Sequence, residues 1–138
     1  MIILDTNVLS ELMNSQPNES VVLWIEKHQT TSLFTTTLTQ AEILYGLEIL
    51  PAGKRKHARK KQAKSMFELD FAGRILPFDV DAAKLYATIV AKRRTIGRPI
   101  SQIDGQIAAI ALSHHATLAT RNIVDFEECG INIINPWD

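Results

Sequence analysis

Short apolar runs alternate with longer amphipathic stretches along the whole of this chain, and that alternation most restricts what it can fold into. Ile2-Ile3-Leu4, Leu33-Phe34-Thr35, Ile75-Leu76-Pro77-Phe78, Thr117-Leu118-Ala119-Thr120 and Ile131-Asn132-Ile133-Ile134 read as short strands. Pro77 cannot donate to a sheet ladder, so its run belongs at a strand end or a sheet edge. Helix-length segments lie between them. Asn7 to Met13 begins a helix, and Ser20 to His28 carries Val21, Trp24, Ile25 and His28 on one side. Thr39 to Leu50 is apolar nearly all round and is stopped by Pro51 and Gly53. Asp81 to Arg94 has Ala82, Leu85, Tyr86 and Ile89 at helical spacing, and Ser101 to His115 turns Ile103, Ile107, Ile110 and Ala111 inward. Strand–helix alternation of this kind predicts an α/β domain whose mostly parallel sheet is covered by helices on both faces. A chain of 138 residues suits one such domain, spanning 1–138.

Other classes are set aside by what the chain lacks. No basic leader precedes an apolar stretch at the N-terminus, and no run reaches the roughly 18–20 apolar residues of a membrane span. The lone Cys129 cannot form an internal disulfide, which fits a reducing, cytoplasmic setting. Formal net charge is zero, but its distribution is uneven. Seven of the fifteen Lys/Arg residues fall between Lys54 and Lys64, with no acid between Glu48 and Glu68. Such a block is either a solvated helix face or a surface for a polyanion, with Lys54, Arg55, Lys60 and Lys61 as candidate phosphate contacts. Arg93, Arg94 and Arg98 form a second candidate patch.

In open parallel sheets ligands bind beyond the carboxyl ends of the strands, so the residues after each apolar run are the place to look. Asp5 follows the first run directly. It is either the cap of the next helix or a charge at the mouth of the sheet. Glu42 stands three residues after Thr39, and Asp104 three after Ser101; both spacings also read as capping boxes. Together the three acids come from separate helix starts on one side of a parallel sheet. Clustered carboxylates repel one another unless a cation sits between them, and an all-oxygen donor set suits Mg²⁺ or Mn²⁺ rather than zinc. His114 and His115 are adjacent on a helix and point in different directions, so they do not make a zinc site. After the fourth run, Thr120, Asn122 and Asp125 add oxygen groups at the same edge. Arg121 is suited either to a phosphate or to a surface ion pair.

These residues resemble the PIN-domain family, and within it the VapC-type toxin ribonucleases of the FitB-like group. The matching segments are Leu4-Asp5-Thr6-Asn7-Val8-Leu9-Ser10-Glu11, Thr39-Gln40-Ala41-Glu42-Ile43-Leu44-Tyr45-Gly46, Gly73-Arg74-Ile75-Leu76-Pro77-Phe78-Asp79, Ile103-Asp104-Gly105-Gln106-Ile107-Ala108-Ala109, Ala119-Thr120-Arg121-Asn122 and the closing Asn135-Pro136-Trp137. They occur in order along the whole chain. The resemblance implies a PIN fold and a Mg²⁺- or Mn²⁺-dependent endoribonuclease. It makes Asp5, Glu42 and Asp104 the metal-binding acids, with Thr6 and Thr120 as hydroxyls that orient them. The family's fourth acid falls at Asn122, where the charge is lost; Asp125, three residues on, is an alternative donor. The resemblance also implies a VapB-like antitoxin partner, an RNA substrate and a homodimer or toxin–antitoxin hetero-oligomer. Operator DNA would be contacted only through the antitoxin, and no membrane is involved.

Rival chemistries fit less well. A phosphoaspartyl phosphatase needs a second Asp where this chain has Asn7. A receiver domain needs an adjacent acidic pair after the first strand and a late lysine, and neither is present. The surviving non-enzymatic reading is a PIN-like module that binds RNA or a partner without cutting, a reading kept open by Asn122.

Overall fold

A computed structural model describes all 138 residues. Five parallel strands form one sheet: β1 (Ile2–Leu4), β2 (Leu33–Thr36), β3 (Ile75–Leu76), β4 (Thr117–Ala119) and β5 (Asn132–Ile134). Their order is β3-β2-β1-β4-β5, with Ile2 paired to Leu33 on one side and Thr117 on the other. The proline-bearing run is thus an edge strand, as its missing N–H requires. Helices α1 (Thr6–Leu12), α2 (Glu19–Glu26), α3 (Thr37–Glu48), α4 (Lys54–Ser65), α5 (Val80–Thr95), α6 (Gln102–Ser113) and α7 (Ile123–Phe126) connect and cover the strands.

Alternating side chains divide the core in two. On β1, Leu4 joins Val8, Leu9, Val21, Ile43 and Phe67 beneath one face of the sheet. Its neighbour Ile3 joins Ile107, Ile110, Leu118 and Phe126 beneath the other. A strand one residue out of step would turn each of these sets to the opposite face, so the central register is strongly specified. Gly105 matters to the second layer. A Cβ there would stand 3.0 Å from side-chain carbons of both Tyr86 and Val90, so its absence lets α6 lie close against α5. That contact fixes the start of α6, where Asp104 resides.

Three local expectations are corrected. Thr39 is not the cap of its helix: α3 begins at Thr37, capped by Thr36, whose hydroxyl accepts from the Thr39 amide at 3.1 Å. Thr39 is buried inside the first turn, and Glu42 lies beyond reach of the helix start. Second, Ile103 is not inward; it is 36% exposed, while Gly105, Ile107 and Ala108 face the core. Third, Arg93, Arg94 and Arg98 do not form one patch. Arg94 is exposed and Arg98 pairs with Glu127 at 3.0 Å, whereas Arg93 is only 4% exposed. The chain also forms α7, a single turn too short to leave a periodic signal in the sequence.

Candidate active site

The strand order makes the site. From β1 the chain moves outward to β2 and β3, then returns to the opposite side of β1 for β4 and β5. The carboxyl ends of β1 and β4 therefore border the point where the winding reverses, which is where open α/β sheets hold ligands. Asp5 is the first residue beyond β1, and its amide bonds to the carbonyl of Ala119, the last residue of β4.

Asp5 is 4% exposed, and all of its hydrogen bonds run to groups at this edge. One carboxylate oxygen caps α1 by accepting from the Thr6 amide at 2.8 Å. The other accepts from the Thr120 hydroxyl at 2.8 Å and the Asn7 side-chain amide at 3.2 Å. The cap reading and the mouth-of-sheet reading of Asp5 thus describe the same side chain. Burial pushes its pKa from 3.8 up to about 6; the bonds from Thr120 and Thr6 oppose this, and the charges of Asp104 and Glu42 add to it.

Glu42 arrives from α3. Its carboxylate accepts from the Thr6 hydroxyl at 2.6 Å, and that hydroxyl lies 3.1 Å from Thr39's. Thr6 thereby links the first two acids: its amide binds Asp5 and its side chain binds Glu42. Asp104 sits in the first turn of α6, where Ser101 accepts from its amide at 3.2 Å. Partial burial raises the pKa of Asp104, as do the charges of Asp125 and Glu42, while a bond from Ser101 and the positive charge of Arg93 lower it.

The three carboxylates do not form a closed cage. No three acidic, histidine or cysteine side chains stand together as ready-made ligands. Each acid is engaged by its own hydroxyl and amide donors instead. The donors along this edge are hard oxygens, which suit a divalent cation such as Mg²⁺ that keeps several waters and is usually held by one or two carboxylates.

The remaining predicted residues fall into two groups. Thr120 is fully buried and is a hub: it donates to Asp5 and accepts from Asn7 at 3.2 Å and from the Asn122 amide at 3.1 Å. Asn122 and Asp125 are exposed at the rim, Asp125 near enough to Asp104 to raise its pKa. Arg121 lies with its guanidinium 5.0 Å from the Trp137 ring, while its amide donates to Asn7. The basic block forms α4 and is divided by the turn of the helix. Arg55 borders a groove that also holds Glu42 and Thr6. Lys60 and Lys61 line a different groove beside Glu48, with Lys60 paired to Glu48 at 2.5 Å, and Lys54 opens the helix.

Sequence reasoning passed over Asn7 as a site residue. Its amide bridges Asp5 and Thr120 and its oxygen holds the Arg121 backbone, so it ties the first and fourth strand ends together. The Leu-Asp-Thr-Asn run contained the signal, since Asn two residues after a buried acid is within hydrogen-bonding reach. Arg93 was misread. Its guanidinium donates to the backbone oxygens of Arg98, Asp125 and Glu127 at 2.6–2.9 Å, clamping the segment that carries Asp125.

A parallel sheet with this order, and acids gathered at its reversal point, defines a PIN domain. The PIN domain family description matches residues 2–130, and the chain belongs to that family. Within it the chain groups with the VapC and FitB toxins. It is 42% identical over 138 residues to the VapC ribonuclease Y4jK of Sinorhizobium fredii, covering all of this chain and 99% of that protein. It is 40% identical over 137 residues to the toxin FitB of Neisseria gonorrhoeae, covering 99% of each. Among solved structures, FitAB bound to an IR36 DNA fragment matches with a TM-score of 0.95 at 40% identity, covering 100% of this chain and 96% of that one.

Proposed function

We propose that the chain is a Mg²⁺- or Mn²⁺-dependent endoribonuclease, the toxin of a VapBC-like pair, hydrolysing RNA phosphodiester bonds at the Asp5–Glu42–Asp104 edge. The observation that carries the reading is the placement of a buried Asp5 at the reversal point of the sheet, with Glu42 joined to it through Thr6 and Asp104 at the start of α6, near enough that the charges of Asp104 and Glu42 add to the rise in the Asp5 pKa. Like charges gathered at such a cost serve a cation better than they serve stability.

Asp5 and Asp104 would hold the cation, with Glu42 as a third donor and Asn122 or Asp125 at the open side. When bound, the cation supplies an activated water and offsets charge developing on the phosphate. The chain's own residues supply position. Thr120 and Asn7 fix one oxygen of Asp5, the Thr6 amide fixes the other, and the Thr6 hydroxyl orients Glu42. Arg121, beside the rim, is suited to neutralise a non-bridging phosphate oxygen. Cys129 takes no part: burial raises its thiol's pKa, so it is no ready nucleophile.

Homology to FitAB and other VapBC complexes supports a VapB-like antitoxin as partner, contacting operator DNA on the toxin's behalf. The exposed Tyr45 on α3 and Ile49 at its C-cap, 68% and 66% accessible, suit a homodimer or hetero-oligomer contact. No helix is long and apolar enough to cross a membrane. The test is incubation of the purified protein with total RNA in Mn²⁺ and in EDTA, beside Asp104→Asn. Fragments that require the metal and vanish in the variant are expected. Bound but uncut RNA would favour the non-cleaving module that the neutral Asn122 suggests.

A further inference from the structure

A groove of about 280 Å³ runs from the acidic edge to the basic helix α4. At one end stand Thr6 and Glu42. Its floor carries Ser10 and Asn14, so that polar residues recur every fourth position from Thr6. The far wall carries Arg55 and Arg59, again four apart and so on one face of α4. Neither arginine has a carboxylate within ion-pair distance; the chain's salt bridges use Lys60, Lys92 and Arg98. Arg59 is only loosely tied, its guanidinium 3.5 Å from the Met13 carbonyl. The other face of α4 is different. Lys60 is paired with Glu48, and Lys56 donates to the Glu48 carbonyl, so that cationic face is partly satisfied from within.

We propose that Arg55 and Arg59 form a subsite for the phosphodiester backbone of single-stranded RNA, along a track leading from α4 to the carboxylate edge. The proposal rests on the nuclease reading above. The acids repel an approaching polyanion, so productive binding needs cationic side chains set back from them along the strand's path. Two guanidiniums without carboxylate partners, facing a lining of uncharged polar and apolar side chains such as Ser10, Ile43 and Leu47, provide that. One helical turn separates them by about 6 Å along the axis, a step comparable to that between successive phosphates of an extended strand. Guanidinium forks also suit phosphate oxygens better than lysine does. The groove offers no base-reading pattern, so the subsite contributes affinity and strand direction rather than sequence choice.

The test measures binding of a short fluorescein-labelled single-stranded RNA by anisotropy in EDTA across a salt series, with cleavage kinetics in Mn²⁺ alongside. Arg55→Gln/Arg59→Gln is compared with a control of equal charge loss, Lys27→Gln/Lys84→Gln, whose lysines are exposed outside the groove. Arg55→Glu alone guards against misfolding, because Arg55 is exposed and makes no side-chain hydrogen bond that its loss would break. The arginine double variant is expected to bind about tenfold more weakly, with the log–log salt slope shallower by about 1.4. KM should rise by a similar factor while kcat stays within about twofold. Unchanged affinity and slope in the arginine variants, or an equal loss in the lysine control, overturns the subsite. Wild type that cleaves normally while the arginine variants keep full RNA affinity overturns the subsite alone and points to an acidic protein segment as the groove's occupant. Wild type that binds RNA through the arginines yet never cleaves overturns the nuclease reading and leaves the subsite standing.

Discussion

Asp5→Asn should make the metal-free protein more stable while abolishing cleavage. In the folded chain the Asp5 carboxyl titrates near 6 rather than 3.8, mainly because it is buried. A carboxyl whose pKa rises on folding favours the folded state while it is protonated. That contribution is full below about pH 3.8 and is lost as pH climbs through about 6. Above that window the ionised carboxylate costs the fold about 3 kcal/mol. Asparagine removes the charge but keeps the α1 cap, since Asn and Asp cap equally well. It sacrifices two acceptor contacts, because its amide would face the Thr120 hydroxyl and the Asn7 amide now donating to Asp5. Those losses together cost about 2 kcal/mol. The net gain is about 1 kcal/mol, or roughly 3 °C in Tm for a domain of this size. The assay is thermal unfolding followed by circular dichroism in EDTA, from acid to mildly alkaline pH. The variant should melt above wild type at neutral pH and lose that advantage towards pH 4. Asp104, raised in the same direction, adds to the wild type's slope in both proteins and so cancels in the comparison. A variant that melts below wild type at neutral pH, or shows an advantage independent of pH, refutes the claim that the buried charge strains the fold.

Thr120→Val removes the hydroxyl that lowers the Asp5 pKa, so the acidic limb of the pH–rate profile should move to higher pH. It should also cost about 1–3 kcal/mol by unpairing the Asn122 amide and weakening Asn7's bonds; urea melts and pH profiles test both. Arg93→Met should destabilise by about 2–4 kcal/mol, since the Asp125 and Glu127 carbonyls lose a charged donor, and α7 should gain amide exchange. Equal exchange in the two proteins would deny Arg93 its clamp. Thr36→Val should cost about 1 kcal/mol through loss of the α3 cap, while Thr39→Val leaves that cap intact; chemical denaturation separates them.

What the sequence disclosed depended on how local the governing physics is. Runs such as Ile2-Ile3-Leu4 announce buried strands because both faces of a central strand are covered, and Pro77 marks an edge because it lacks a donor. Asp5 and Ser101 could be read as caps because a cap is decided within three residues. Thr39 misled for the same reason: Thr36 and Thr39 both offer hydroxyls, and only the exit angle of β2 selects Thr36. Arg93 lay beyond local reading altogether. Its partners sit five to thirty-four residues further along the chain and are backbone carbonyls, which no side-chain pattern reveals. The division of the basic block was readable in part, since helical periodicity separates Arg55 and Arg59 from Lys60. Which side meets the acids needed the packing of α4 against α3.

The same distinction explains why the acidic edge tolerates its own charge. Asp5 occupies a helix start, so the α1 dipole and the Thr6 amide offset part of the burial penalty on the spot. Asp104 lies in the first turn of α6, where an acid is likewise favoured. Glu42 has no such helix end and relies on Thr6 instead. Two acids are thus held by elements that would form without them, and the third hangs on a side chain belonging to the first. Loss of the Thr6 hydroxyl should therefore release Glu42 while leaving the Asp5 cap in place. That asymmetry makes Thr6, rather than any of the acids, the residue on which the relative geometry of the first two carboxylates depends.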